Sequence, residues 1–195
     1  MVKWYSICWK HNCILTVAWQ YAHISCLFCD FACLCLCLLA GWKGDTVVKL
    51  VIGCDHGAVE LKDSVKKVLA EFEDIKVEDV GTFDGNSVDY PDIAEKVCGK
   101  VASGEADRGI VLCGTGLGIS IAANKVKGIR AALCHDVFSA RMSREHNDAN
   151  VLAMGGRVIG FGPAGEIVRV WVTTDFSHEE RHQRRIDKMM ALENK

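Results

Sequence analysis

The chain has 195 residues, half of them hydrophobic, with a formal net charge of -2 and a sequence pI near 6.4. That length buries one good core and hardly two, since domains commonly run about 100–200 residues. The balanced charge leaves no large positive field and so argues against non-specific nucleic-acid binding, while a local anion site stays open.

The first 45 residues differ in composition from the rest. They hold seven of the eleven cysteines (Cys8, Cys13, Cys26, Cys29, Cys33, Cys35 and Cys37), four of the five tryptophans and five charged residues. Ile24 to Ala40 is mostly apolar but short of the ~20 residues of a membrane span and carries Asp30 near its middle. A signal-peptide reading finds a loose cleavage pattern at Leu38-Leu39-Ala40-Gly41. His23, Cys26, Cys29 and Cys33 have ligand-like spacing without a second paired half, so a metal is not expected there. The reading preferred is an atypical extension preceding a domain over 46–195. No methionine falls between Met1 and Met142 to restart the chain at that boundary.

From Val47 a short β-branched run, VVKLVIGC, precedes an amphipathic stretch with Val59, Leu61, Val65, Val68, Leu69 and Phe72 at helical spacing, which is one βα unit. The next strand is predicted over Lys76–Val80 and a helix from about Asp92 to Ala102, stopped by Gly104. Then come a strand at Ile110–Cys113, a helix opened by Gly118, a strand at Ile129–Cys134 and a helix capped by Asp136. A fifth strand, Val151–Met154, is followed by helices over Pro163–Val172 and Glu179–Glu193. Strands alternating with helices predict an α/β fold, a three-layer α/β/α sandwich around a five-stranded parallel sheet, Rossmann-like in its layering.

Ligands in such sheets bind beyond the carboxyl ends of the strands. Asp55 and His56 follow the first strand there, Cys113 to Gly118 the third, and His135 and Asp136 the fourth. The run GTGLGI lacks the third glycine of a dinucleotide fingerprint, and Cys134 stands where an acidic residue would be needed, so nicotinamide binding is disfavoured. A thiol at a strand end, with glycine amides and a helix start behind it, is where a thiolate base or nucleophile would be favoured; alternatively it is a small buried hydrophobe. Asp55-His56 could instead cap the first helix, and His146, in the polar stretch SREHNDAN, could be a solvated loop residue or a general acid. Arg181 and Arg185 stand at i, i+4, which suits a salt-bridged helix face or a phosphate clamp. The four later cysteines sit singly in apolar patterns, as in reduced thiols, and point to a reducing, cytoplasmic setting.

The motifs GCDHGAVELK, VGTFDGNSVDYPDIA, CGTGLGISIAANK, GIRAALCHDVFSARMSREHNDANVLAMGGRVIG and RHQRR, in that order over about residues 47–190, resemble the type B ribose-5-phosphate isomerases and the related galactose- and allose-6-phosphate isomerases. The resemblance implies an aldose–ketose isomerase without metal or organic cofactor, acting on D-ribose 5-phosphate. By it, Cys113 is the base, Thr115 helps with sugar oxygens, and the amides around Gly114, Gly116, Leu117 and Gly118 cradle the enediolate. Asp55 and His146 match the ring-opening pair and Asn147 a sugar contact. His56, Arg181 and Arg185 match the phosphate end, with His182 and Tyr90 as further pocket residues. A branch of the family uses a glutamate where this chain has Ile119, so the chain falls in the cysteine branch. The family builds each site from two subunits, which implies a homodimer, or a dimer of dimers, with His146 and the arginines serving the partner's pocket.

Overall fold

The computed structural model describes residues 47–195; residues 1–46, with every reading that falls on them, lie outside the described residues. Among the described residues there are five strands: β1 (Val48–Cys54), β2 (Ile75–Asp79), β3 (Arg108–Cys113), β4 (Ala131–Leu133) and β5 (Val151–Gly155). Six helices alternate with or follow them: α1 (Val59–Leu69), α2 (Tyr90–Ala102), α3 (Leu117–Ala123), α4 (Val137–Glu145), α5 (Phe161–Thr173) and α6 (Glu180–Met190). A 3-10 turn, Ala191–Asn194, follows α6.

All neighbouring strands pair in parallel, in the order β2-β1-β3-β5-β4. Alternate residues of the central strands enter opposite cores. Leu50, Ile52, Ile110, Leu112, Leu152 and Met154 face α1, α4 and α5, around the fully buried Trp171. Val51, Val111, Cys113, Val151 and Ala153 face α2 and α3. A parallel sheet covered on both faces needs such near-continuous apolar strands, and these sequences supply them.

Several boundaries shift for local reasons. Helix α1 ends at Leu69, three residues before Phe72, which turns in to pack on the core. Helix α2 starts at Tyr90, with Pro91 in its first turn where the missing N–H costs nothing. The helix predicted to open at Gly118 begins at Leu117, because Gly116 at its N-cap adopts a left-handed φ of 78°. Strand β4 is three residues instead of six, and Asn124 takes over part of its edge, accepting from the Ala131 amide and donating to the Ala131 carbonyl. Asp136 caps α4 as predicted, accepting from the Ser139 amide at 2.7 Å.

The chain steps outward from β1 to β2 and then returns to β3 on the other side, so the carboxyl ends of β1 and β3 border the crevice at which the strand order reverses.

Candidate active site

Cys54 pairs in register with Leu112, and the Asp55 amide donates to the Leu112 carbonyl at 3.0 Å. Asp55 and Cys113 therefore end adjacent strands at the same level. Asp55 does not cap α1, as the sequence allowed; the helix N-cap is Ala58, without a side-chain bond. Its Oδ1 instead accepts from the Gly57 amide at 2.8 Å, closing a tight turn. A Cβ on Gly57 would stand 3.1 Å from the Gly114 Cα and amide nitrogen, so the loops after β1 and β3 touch.

Cys113 is 4% exposed, and its Sγ accepts the Gly116 amide at 3.1 Å. Burial pushes the thiols of Cys54 and Cys134 up to about 11 and that of Cys98 up to about 12. Thr115 Oγ1 accepts from the Leu117 amide at 3.3 Å at the exposed lip of the loop. Tyr90 closes one side: a Cβ on Gly118 would stand 2.7 Å from its ring, which fixes the ring over the start of α3.

The loop after β5 joins them. The Gly156 amide donates to the Cys113 carbonyl at 2.8 Å and the Arg157 amide to the Gly114 carbonyl at 2.9 Å. The Arg157 guanidinium lies over Gly114, with Nε 3.5 Å from where a Cβ would stand. A cleft of about 490 Å³ opens beside it, lined among others by His56, Gly57, Gly85, Gly156 and Arg157. Cys113 is not among the residues that line it. His56 is exposed, its Nδ1 accepting from the Val88 amide at 3.4 Å. Arg157 went unassigned in the sequence because adjacency of β5 to β3 is a fact of topology; the signal is a cation placed directly after the Gly-Gly that ends a strand.

His146, Asn147, Arg181, His182 and Arg185 lie at the other end of the sheet. Helix α4 runs back from the carboxyl end of β4 and is capped by His146, five residues before β5 begins. Five residues of β5 at about 3.3 Å each put roughly 16 Å between the two ends. There His146 and His182 stack face to face, ring centroids 4.2 Å apart and planes 14° from parallel. His182 is buried, and its Nε2 has no hydrogen-bond partner, the Glu179 carboxylate being 3.8 Å away. Burial, then the charges of His146 and Arg181, push the His182 imidazole below its ordinary range. Arg181 Nε donates to Glu179 at 2.6 Å, and Arg181 and Arg185 are exposed on α6. Within one chain the candidate residues thus form two separate faces.

Among the described residues no group of three or more His, Cys, Asp or Glu is disposed to hold a metal ion, and no helix is long and apolar enough to cross a membrane.

The model of the ribose/galactose isomerase family matches residues 50–189. Ribose-5-phosphate isomerase B of Escherichia coli (strain K12) is 46% identical over 147 residues, covering 75% of this chain and 97% of that protein. The solved structure of Clostridium thermocellum ribose-5-phosphate isomerase B superposes with a TM-score of 0.72 at 52% identity, covering 75% of this chain and 98% of that one. D-erythrulose-4-phosphate isomerase 2 of Mycolicibacterium smegmatis is 42% identical over 148 residues, covering 75% of this chain and 97% of that protein.

Proposed function

The chain belongs to the ribose/galactose isomerase family, and from that membership we propose that it interconverts D-ribose 5-phosphate and D-ribulose 5-phosphate, with Cys113 as the base. The observation that carries the reading is the crevice between β1 and β3, where a thiol, a carboxylate, a run of backbone amides and the Arg157 cation converge. Their order in space suits a substrate with an anionic tail and a carbonyl head.

In this account Arg157 and His56 hold the phosphate at the cleft, and Asp55 with His146 opens the furanose ring by proton transfer at the ring oxygen and the C1 hydroxyl. The Cys113 thiolate takes the proton from C2 of the open aldehyde, leaving an enediolate with its charge on O1. It returns that proton to C1 while the O2 hydroxyl proton passes to O1, giving the ketose. Backbone amides of Gly114 to Gly118 stabilise the charge developing on oxygen, an effect commonly worth several kcal/mol. Phosphate binding away from the reacting carbons supplies orientation.

The separation of the two faces supports a homodimer in which His146, Asn147, Arg181 and Arg185 of one copy complete the crevice of the other. Exposed Leu117 and Ile121, one turn apart on α3, and exposed Phe138 on α4 supply apolar surface for such a contact. The free thiols Cys54, Cys98, Cys113 and Cys134 fit a reducing cytoplasm.

A coupled assay on the full chain tests the reading: turnover of ribose 5-phosphate is expected, with near-complete loss in Cys113→Ala. Equal turnover by that variant would remove the proposed base. The relative named for a four-carbon ketose phosphate favours a second reading in which chain length is the variable. Side-by-side kcat/KM values for four-, five- and six-carbon aldose phosphates decide between them, the six-carbon sugars covering the allose and galactose phosphates.

A further inference from the structure

Among the described residues two that are not glycine adopt a left-handed backbone, Asp148 at φ 44° and His178 at φ 54°. They bracket the stacked imidazoles, Asp148 two residues after His146 and His178 four before His182. Such conformations persist where the surroundings over-determine them, and they gather at functional sites.

The surroundings of Asp148 do over-determine it. Its carboxylate lies between two guanidinium groups, Oδ1 accepting from Arg144 Nη1 at 2.7 Å and Oδ2 from Arg130 Nη2 at 3.1 Å. Its carbonyl accepts from Arg130 Nη2 at 2.7 Å and Nε at 3.1 Å, and its amide donates to the Arg144 carbonyl at 3.0 Å. The clamp extends to both neighbours: Arg130 Nε reaches the Asn147 carbonyl at 3.0 Å, and Arg144 Nη1 the Ala149 carbonyl at 2.7 Å. Neither arginine is a surface group, their side chains being 17% and 6% exposed. Arg144 Nε also donates to the Thr174 carbonyl at 3.3 Å, tying the clamp to the segment that leads into α6 and its His182.

We infer that Asp148 is a positioning residue: held between Arg130 and Arg144, it reverses the chain directly after Asn147 and so fixes how His146 and Asn147 are presented at the end of α4. The inference rests on the reading above that these two residues serve the substrate. Aspartate suits the place twice over. With asparagine it is the non-glycine residue that best tolerates left-handed backbone, and it alone offers a full acceptor to each arginine. Asparagine would accept from one and present a donor to the other. Alanine would leave the two cations sharing backbone carbonyls alone.

The test uses the full chain with ribose 5-phosphate. Asp148→Ala is expected to lower kcat at least tenfold with KM within about threefold, and Asp148→Asn to recover at least a third of the wild-type kcat. In a His146→Ala background the Asp148→Ala change should cost less than threefold more, because its effect passes through His146. A further tenfold loss there, or an unchanged kcat with a lowered Tm in the single variant, overturns the inference by making Asp148 a fold residue alone. Should Asp148→Ala fail to fold, Arg130→Lys keeps the charge and removes the fork: a three- to tenfold fall in kcat supports the clamp and full activity refutes it. His146→Ala separates the two levels. If it is fully active the reading of His146 falls, and if its kcat is lowered while those of Asp148→Ala and Arg130→Lys are unchanged, the positioning role alone falls.

Discussion

The two ends of the parallel sheet are built from different materials. At the carboxyl ends of β1, β3 and β5 the loops are short and glycine-rich, and they hold each other backbone to backbone, as where Gly156 and Arg157 donate to the carbonyls of Cys113 and Gly114. At the amino ends the holding is done by long charged side chains, with Arg130 and Arg144 gripping Asp148 and two imidazoles stacked beside α6. The first end presents amides, a thiol and the Arg157 cation, which suit a developing anion and a phosphate; the second presents further cations and titratable rings, which suit proton delivery and a second grip on phosphate. A single chain keeps these apart by the length of its own strands, so the difference between the ends is also an argument for two chains.

The sharpest break in the comparison is at the carboxyl end. Cys113→Ala should lower kcat by about 10³-fold, within the range for loss of a positioned base, with KM near its starting value. Steady-state kinetics check it, and a parallel rise in KM would mean that the sulfur binds substrate and does not move its proton. Gly116→Ala should reach the same loop through the backbone. Its Cβ would stand 2.6 Å from Leu133 Cδ1 and 2.9 Å from the Met154 carbonyl carbon, on a φ of 78°. A cost of roughly 2–3 kcal/mol is expected, read by denaturant unfolding, with activity lost further than stability.

Arg157→Ala sharpens the division of labour within that end. An arginine that grips a remote phosphate contributes mostly uniform binding, so KM should rise about ten- to a hundredfold while kcat moves little. A kcat effect of equal size would place the guanidinium at the reacting carbons instead. Smallest is the signature of the other end. The folded state favours neutral His182, so its contribution is complete above about pH 6.5 and declines as pH falls from there toward the lowered folded value. His182→Phe keeps an aromatic ring and removes the titration. Its Tm should therefore drop less than that of the unaltered chain between pH 7.5 and pH 5.5, and an identical drop would show that the stacked ring carries no such linkage.

Much of this was legible in the chain itself. β-branched runs alternating with amphipathic stretches were enough for the layers, and the Asp136 cap was placed to the residue, because local spacing and local hydrogen bonding decide both. The Cys113 loop was legible as well, since strand, thiol, glycines and helix are contiguous. Arg157 was not, because its value comes from β5 lying next to β3, which pairing alone decides. Nor was the role of Asp148: an aspartate after His-Asn in a polar loop looks solvated until Arg130, 18 residues away, is folded against it. Spacing likewise put Asp55 in competition for a helix cap, and the turn closed onto Gly57 is what settled it.

The most direct test of the two-faced site mixes two strongly impaired variants, each with low residual turnover. Cys113→Ala and His146→Ala chains are unfolded together and refolded as an equimolar mixture, each variant also being refolded alone. Half of random dimers are mixed, and each mixed dimer has one of its two crevices intact, so the mixture should recover about a quarter of wild-type turnover. A mixture no more active than the variants refolded separately, while a wild-type control regains its activity, would contradict a site shared between copies.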